Sequence, residues 1–278
     1  MKALVETPLD LAGREILSIS LASALAEPGS RFAVRGLPIP DVGLEAAWLK
    51  MLEACGELGP EDLSSGEVLP AEKDLAPLLE WKKLPADRRE KAHQAVFGFV
   101  GSRHCPPFES EYLPWKDPTH RAQHLADIAG FYSAFGVMPD PSEPQRHDHV
   151  SIELEFTAFL LEKERLASLE TFPGGEDPVE TCREARHAFL KEHVSWWAPA
   201  FAWDLAKRCR EVKERLAPEQ VAEDVELLAG VARLLRAWVT AERVLCGISP
   251  SERSVGPEVR LPVVEESLDS ECEGCGAD

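Results

Sequence analysis

The sequence has no long hydrophobic run, and it has far fewer basic than acidic residues. Charged residues interrupt every apolar stretch well before the ~18 residues that a membrane-spanning helix needs. With 30 basic and 49 acidic side chains, the 278-residue chain carries a formal net charge of −19. Because nucleic acids and anionic membranes would repel this charge, neither is expected as the main partner. A cationic partner fits the charge, and so does a simple requirement for solubility.

The motifs of the common enzyme classes are also missing. The sequence contains no GxSxG, P-loop, GxGxxG or HExxH pattern, so no catalytic motif predicts an enzyme. A secretory signal is not expected either, because Glu6, Asp10, Arg14 and Glu15 break up the N-terminal apolar stretch. The seven cysteines form an odd, scattered set, which is typical of a compartment that keeps thiols reduced. We therefore expect a cytoplasmic protein.

Alternating strand patterns are nearly absent, whereas helical periodicity recurs along the chain. The helix from 148 has apolar side chains on most sides, which is typical of a central, buried helix. Asp148 is expected to cap its N-terminus, and Pro199 is expected to kink a later helix. The sequence thus predicts an all-α protein. The predicted helices are 13–27, 44–59, 87–101, 119–136, 148–170, 178–216 and 218–246.

The domain organisation predicted is one helical domain over residues 1–250 and a tail over 251–278. A proline-rich segment at 137–147 is a candidate hinge that could divide the domain into two packed subdomains. The tail is rich in acidic residues and is expected to be disordered. It ends in CEGC, where Cys272 and Cys275 supply half of a tetrahedral zinc site at best. A thioredoxin-like role would need a βαβ context that is not predicted here.

Histidines and an aspartate offer one candidate metal site. His120, His124 and Asp127 follow each other at helical spacing and share one helix face. His147 and His149 could add further ligands, which would give a set suited to zinc or non-haem iron. The spacing matches no metal-binding signature, and near-neighbour polar residues on a helix usually form a solvated face. A helical metal-dependent enzyme is therefore the alternative hypothesis, and no metal or other cofactor is assigned.

A recognition groove is the other candidate. The stretch PPFESEYLPW sets Phe108, Tyr112, Leu113 and Trp115 close together between prolines, on a predicted turn. Aromatic side chains on a turn favour binding, because they are rigid and amphipathic. The alternative is that Phe108 and Leu113 simply anchor the turn to the core and bind nothing.

A second loop adds charge to that groove. In EPQRHDHVSIELEF, the carboxylates of Glu143, Asp148 and Glu153 could accept hydrogen bonds from guanidinium groups. A charged role for Asp148 is compatible with its expected role as a helix cap.

Four segments together resemble a known family. In chain order these are PPFESEYL, FYSAFG, EPQRHDHVSIELEF and EHVSWWAPAFAWDLA, and the likeness extends over roughly residues 10–250. They are similar to the hallmark segments of the TorD/DmsD/NarJ family, which are cytoplasmic chaperones for molybdenum enzymes of the dimethyl sulfoxide reductase superfamily. Two departures stand out. His147 takes a place where the family often has proline or an acidic residue, and the acidic cysteine-containing tail is not a general family feature.

The resemblance implies binding rather than catalysis. Family members hold the twin-arginine signal peptide or the N-terminus of the apoenzyme until the molybdopterin cofactor is inserted. The expected partner is therefore the apo-form of a molybdopterin oxidoreductase, and the expected state is a monomer or a domain-swapped dimer. A signal peptide with two arginines beside an apolar stretch suits an acidic, aromatic-lined groove. By position, the resemblance implies these client-binding residues: Phe108, Ser110, Tyr112, Leu113, Glu143, Pro144, Asp148, His149, Trp197 and Phe201.

Overall fold

The computed structural model describes residues 7–28, 41–98, 102–114, 117–138, 146–169, 177–215 and 219–250. Over these ranges the chain is helical, as predicted, and its extended pairing is limited to an isolated antiparallel bridge between Phe108 and His149. The tail and residues 139–145 of the predicted hinge lie outside the described ranges. The α-helices are α1 (Pro8–Leu25), α2 (Asp41–Ala54), α3 (Ala76–Lys83), α4 (Ala86–Phe97), α5 (Pro118–Ala134), α6 (Val150–Leu169), α7 (Pro178–Phe189), α8 (Ser195–Arg215) and α9 (Glu219–Leu245).

Helix α1 begins five residues earlier than the apolar pattern predicted. Thr7 and Asp10 form a reciprocal cap, in which Thr7 Oγ1 accepts the Asp10 N–H at 3.2 Å and the Asp10 carboxylate accepts the Thr7 N–H at 3.0 Å. Pro8 fits the first helical position because the N–H that it lacks would have no partner there. The capping residues therefore set the start of this helix.

The prediction that α6 is central and buried is confirmed. Along most of its length, both its apolar and its polar side chains are buried. It packs against α1 on one side and α7 on another, and Ser18 Oγ of α1 donates a 2.7 Å hydrogen bond to the Leu154 carbonyl of α6. Helix α1 also packs against α2. These helices form one of two packed groups.

The second group is centred on α9, which packs along α8 and also contacts α3 and α4. A buried ion pair joins the two groups, because Arg14 Nε of α1 donates to Glu242 Oε1 of α9 at 2.9 Å. Neither side chain of this pair is more than 3% exposed. A short π-helical segment, Leu190–Val194, lies between the groups and contacts α6, α7, α8 and α9.

That π segment corrects the prediction of a single helix over 178–216 kinked at Pro199. Pro199 instead lies within α8, and the irregular turn comes just before it, at Leu190–Val194. Proline has no N–H to offer the carbonyl four residues earlier, and its ring crowds that carbonyl. The carbonyl belongs to Ser195, where the π segment ends. One wide turn thus accommodates the proline, as π-bulges commonly do near functional residues.

Candidate functional site: a buried acidic cluster under an arginine-filled surface

Two of the sequence motifs meet in space. The turn at 102–114 and the segment that enters α6 are joined by the bridge between Phe108 and His149. Next to that bridge, the Glu109 N–H donates to the Asp148 carbonyl at 2.9 Å. Backbone pairing of this kind satisfies the polar groups of two irregular segments. The side chains of residues 108–112 and 146–149 are thereby held in one site.

Glu109 lies at the bottom of this site and is completely buried. Its Oε1 accepts a 2.7 Å hydrogen bond from Trp196 Nε1 of α8. Its Oε2 is 3.0 Å from His124 Nε2 of α5 and 3.2 Å from His193 Nδ1 of the π segment. One carboxylate therefore gathers side chains from three separate elements.

The two imidazoles keep Glu109 ionised despite its burial. Burial alone would raise the pKa of Glu109, but the nearby His124 and His193 side chains lower it below its ordinary value. Glu109 in turn changes the pKa of His124. Burial there disfavours the charged imidazole, but Glu109 raises the pKa of His124 above its ordinary value. The cluster therefore favours a negative Glu109 facing a protonated His124 when no other ligand is present.

A second buried carboxyl, Glu153 of α6, has the opposite charge state. Trp197 Nε1 donates to its Oε2 at 2.9 Å, whereas its Oε1 has no hydrogen-bond partner among the described residues. Burial, together with the negative charge of Glu109, raises the pKa of Glu153 well above its ordinary value. This shift favours the neutral, protonated form of Glu153. Two carboxyls that repel each other thus favour one charged and one neutral group.

Asp148 is a receptor for an arginine, and the structure corrects its predicted role as a helix cap. Its Oδ2 accepts the Ser110 N–H at 3.0 Å and Arg146 Nη2 at 2.7 Å, and its Oδ1 accepts Arg146 Nε at 3.0 Å. The cap of α6 is instead His149, whose Nδ1 accepts the Ser151 N–H at 3.2 Å. Asp148 does not cap the helix because its side chain points toward the 102–114 turn and away from α6.

Arg146 makes further contacts that complete a guanidinium site. Its Cζ lies 4.2 Å from the centre of the Phe108 ring, which is cation–π geometry. Its Nη1 donates to Glu111 Oε1 at 3.1 Å, and its Nη2 also donates to Ser110 Oγ. An arginine of this chain therefore occupies the position where the sequence predicted that carboxylates would meet a guanidinium.

The other predicted site residues divide into surface and core. Phe108 and Leu113 are half-buried, and the Phe108 ring contacts Arg146. Tyr112, in contrast, is only 4% exposed and its ring packs 5.4 Å from that of Trp197. Trp197 and Phe201 are fully buried in the core. The short 3-10 turn at 109–111 is followed by the buried Tyr112, so these three aromatics belong to the core and do not line an exposed surface. Trp115, Glu143 and Pro144 lie outside the described residues.

The family of this chain follows from comparison with known proteins. The model of the nitrate reductase delta subunit family matches residues 44–202, which is more than half of the chain and includes every predicted client-binding residue. The chain belongs to the nitrate reductase delta subunit family. This is a family of molybdoenzyme maturation chaperones and not of enzymes, as the resemblance implied. Neither the curated proteins nor the solved structures yield a match.

For this delta-family protein, the alternative metal-ligand set is only partly assembled. His124 lies in the buried cluster, and Asp127 Oδ2 is 3.5 Å from His193 Nε2. His149 instead caps α6. The two remaining histidines of that set also lie elsewhere: His120 is exposed on α5, and the His147 ring packs near that of Tyr132.

Sequence reasoning missed the two residues that organise the delta-family site, Glu109 and His193. Glu109 stands inside FESEY between Phe108 and Tyr112, and nothing in the local pattern distinguishes it from an exposed turn glutamate. His193 comes three residues before Trp196, a spacing that puts both side chains on one helical face and could have indicated a shared partner. Among the described residues, no helix is long and apolar enough to cross a membrane.

Proposed function

We propose that this chain is a cytoplasmic maturation chaperone that binds an arginine-bearing segment of its client. The client is the apo-form of a molybdopterin oxidoreductase of the dimethyl sulfoxide reductase superfamily. The segment bound is the twin-arginine signal peptide or the N-terminus of that subunit. By holding it, the chaperone assists insertion of the molybdenum cofactor before export or assembly.

The observation that carries this proposal is the environment of Arg146. A buried carboxylate, Asp148, an aromatic face, Phe108, and two further oxygens from Ser110 and Glu111 surround one guanidinium. Each of these groups suits a guanidinium, which is planar, charged and carries several N–H donors. The site therefore favours arginine over lysine. The occupant is the protein's own side chain, so a client arginine would bind by taking its place.

The exchange is geometrically accessible because Arg146 is attached from the solvent side. About a third of its side chain is exposed, whereas Asp148 behind it is fully buried. When Arg146 turns outward, Asp148 is left as an unpaired buried charge, which is costly unless another guanidinium replaces it. The site therefore favours being filled, by Arg146 in the free chaperone and by a client arginine in the complex.

Charge and apolar surface around Arg146 support the same proposal. Glu111 is about one-third exposed and already accepts Arg121 Nη2 at 2.6 Å as well as Arg146, so a second arginine has a carboxylate nearby. Phe108 and Leu113 offer half-buried apolar surface for the hydrophobic part of a signal peptide. The net charge of −19 would speed the encounter with a basic peptide and make that step sensitive to salt.

The test is peptide binding measured by fluorescence anisotropy with two matched labelled peptides. One carries the twin-arginine motif before an apolar stretch, and the other differs only by two lysines in place of the arginines. We expect the arginine peptide to bind at least about tenfold more tightly, a difference of about 1.4 kcal/mol. Asp148→Asn should remove most of that preference. Equal binding of the two peptides by the unmodified protein would refute the proposed recognition.

A further inference from the structure

Three potential metal ligands converge in the buried cluster. They are Glu109 Oε2 from the 102–114 turn, His124 Nε2 from α5 and His193 Nδ1 from the π segment. The carboxylate oxygen is 3.0 Å from the His124 nitrogen and 3.2 Å from the His193 nitrogen. Glu109 and His193 are at most 1% exposed, and His124 is 16% exposed. Three segments that are distant in the chain thus supply donors to one largely buried location.

The two separations from Glu109 are close to those between ligands around one small cation, and all three donor atoms lie within 4.8 Å of one another. Bonds of about 2.0–2.1 Å to a tetrahedral zinc ion put neighbouring donor atoms about 3.3 Å apart. The His124 ring also lacks the direction expected of a hydrogen bond. Its Nε2 is close to the carboxylate but has no hydrogen-bond partner among the described residues, although the atom is buried. The two atoms are 3.0 Å apart but poorly aligned for a hydrogen bond, an arrangement that fits two ligands directed at a shared cation.

Neighbouring groups hold the ligands as the outer shell of a metal site does. Trp196 Nε1 bonds Glu109 Oε1 at 2.7 Å, which fixes the carboxylate and leaves Oε2 for the cation. His193 uses Nδ1 toward Glu109, and its Nε2 faces Asp127 Oδ2 at 3.5 Å. A ligating histidine commonly directs its other ring nitrogen at a carboxylate in this way. Asp127 is 59% exposed and free to move closer.

We propose that Glu109, His124 and His193 form a binding site for a divalent transition metal, with Zn²⁺ the ion that fits best. Two imidazoles and one carboxylate are a known zinc donor set that leaves one coordination position for water. The partly exposed His124 side chain marks the solvent side of the site, where that water would enter. Without a cation, the buried His124 Nε2 has no well-aligned hydrogen-bond partner among the described residues, which is costly.

The bound ion would brace the recognition surface. It would tie α5 and the π segment to Glu109, whose backbone N–H is bonded to Asp148. The role is structural and goes beyond the proposed peptide binding. Metal binding can therefore be measured without any peptide, and its failure would leave the peptide proposal intact.

The experiment is a zinc titration of metal-free, full-length protein against a chromophoric chelator. Cys272 and Cys275 are both changed to Ser in every sample, because the CEGC sequence could take up zinc by itself. We expect one Zn²⁺ per chain with a dissociation constant in the micromolar range or below. His124→Gln should weaken binding by at least about tenfold. The matched control is His120→Gln, an exposed histidine one turn earlier on α5 and outside the cluster, which should bind zinc as the parent does.

Further measurements distinguish the outcomes. Glu109→Gln keeps an acceptor for Trp196 and serves as a second variant if circular dichroism shows that His124→Gln is unfolded. Cobalt replaces zinc to report the ligands, and the expected spectrum is four-coordinate without thiolate charge-transfer bands. The proposal is overturned if the parent binds no zinc at micromolar concentrations, if cobalt shows thiolate ligation, or if a folded His124→Gln or Glu109→Gln variant binds as tightly as the parent.

Discussion

Arg146 and Asp148, two residues apart in the chain, form a two-point ion pair across a turn. Nε meets Oδ1 at 3.0 Å and Nη2 meets Oδ2 at 2.7 Å. Asp148 is fully buried, and Arg146 covers it from the solvent side. In a protein expected to bind arginines, this internal pair acts as a competitor for the client.

Removing that competitor should strengthen client binding. We expect Arg146→Ala to bind the twin-arginine peptide about tenfold more tightly, because the fraction of open sites rises. Without peptide, the variant should be less stable than the parent, since the buried Asp148 charge loses its partner. Peptide addition should therefore raise the melting temperature of the variant more than that of the parent. Arg121→Ala is the control, because it removes a Glu111 partner and leaves Asp148 paired. Weaker binding by Arg146→Ala would mean that Arg146 contacts the client directly.

The charge state of Glu153 predicts a stabilising substitution. Its pKa is raised well above the ordinary 4.5, so folding requires a proton that the unfolded chain releases above that pH. The associated stability is complete below pH 4.5 and declines as pH rises, by up to about 1.4 kcal/mol per pH unit. Glu153→Gln removes this loss and should make the protein more stable than the parent at pH 8. Urea unfolding at pH 5 and pH 8 measures the effect, with Glu162→Gln on the same helix as control. An equal or larger decline with pH in Glu153→Gln would contradict a neutral Glu153.

The two neighbouring tryptophans should contribute differently to the free energy of unfolding. Trp196 donates to the ionised Glu109 and Trp197 to the protonated Glu153. Hydrogen bonds to charged groups contribute about 1.5–3 kcal/mol, and those to neutral groups about 0.5–1.5 kcal/mol. Both tryptophans are buried, so replacement by Phe removes a similar packing contribution from each. Trp196→Phe should therefore lose about 1 kcal/mol more unfolding free energy than Trp197→Phe, in chelator-treated protein at pH 7. The reverse order would show that the charges are assigned to the wrong carboxyls.

His149 should make the protein sensitive to mild acid. Burial lowers the pKa of His149 from 6.5 to about 3. Between these pH values the imidazole is protonated in the unfolded chain and neutral in the folded chain. Its contribution to stability is complete above pH 6.5 and is lost as pH falls, by about 1.4 kcal/mol per unit at most. His149→Asn keeps a helix-capping residue and removes the titration. Between pH 6.5 and pH 5 its stability should fall less steeply than that of the parent or of the exposed His120→Asn variant. An unchanged slope would exclude His149 as the source.

Local sequence patterns were sufficient to predict the class of the fold and the burial of α6. Periodicity reports which faces are apolar, and the side chains of α6 are buried on nearly all sides. The start of α1 was missed because the periodicity begins later than the Thr7 cap. The resemblance selected the two segments that meet at Phe108 and His149.

The inner part of the site could not be predicted in this way. Glu109 and His193 are 84 residues apart, and their contact depends on how α5, α8 and the π segment pack. The capping of α6 was assigned to Asp148 rather than to His149 because both residue types can accept a backbone N–H. Only the direction of the Asp148 side chain, fixed by Ser110 and Arg146, distinguishes them.

The buried pair of Arg14 and Glu242 also bears on how the protein is made. Its two members are separated by 228 residues, and α1 gains its charged partner only when α9 is present. During synthesis, α1 leaves the ribosome long before α9 exists, so its arginine cannot be buried with its native partner until α9 has been made. Contacts this distant slow folding and leave apolar surface exposed in the meantime. A nascent chain stalled before residue 242 should accordingly be sensitive to proteases in α1, and release of the full chain should protect it.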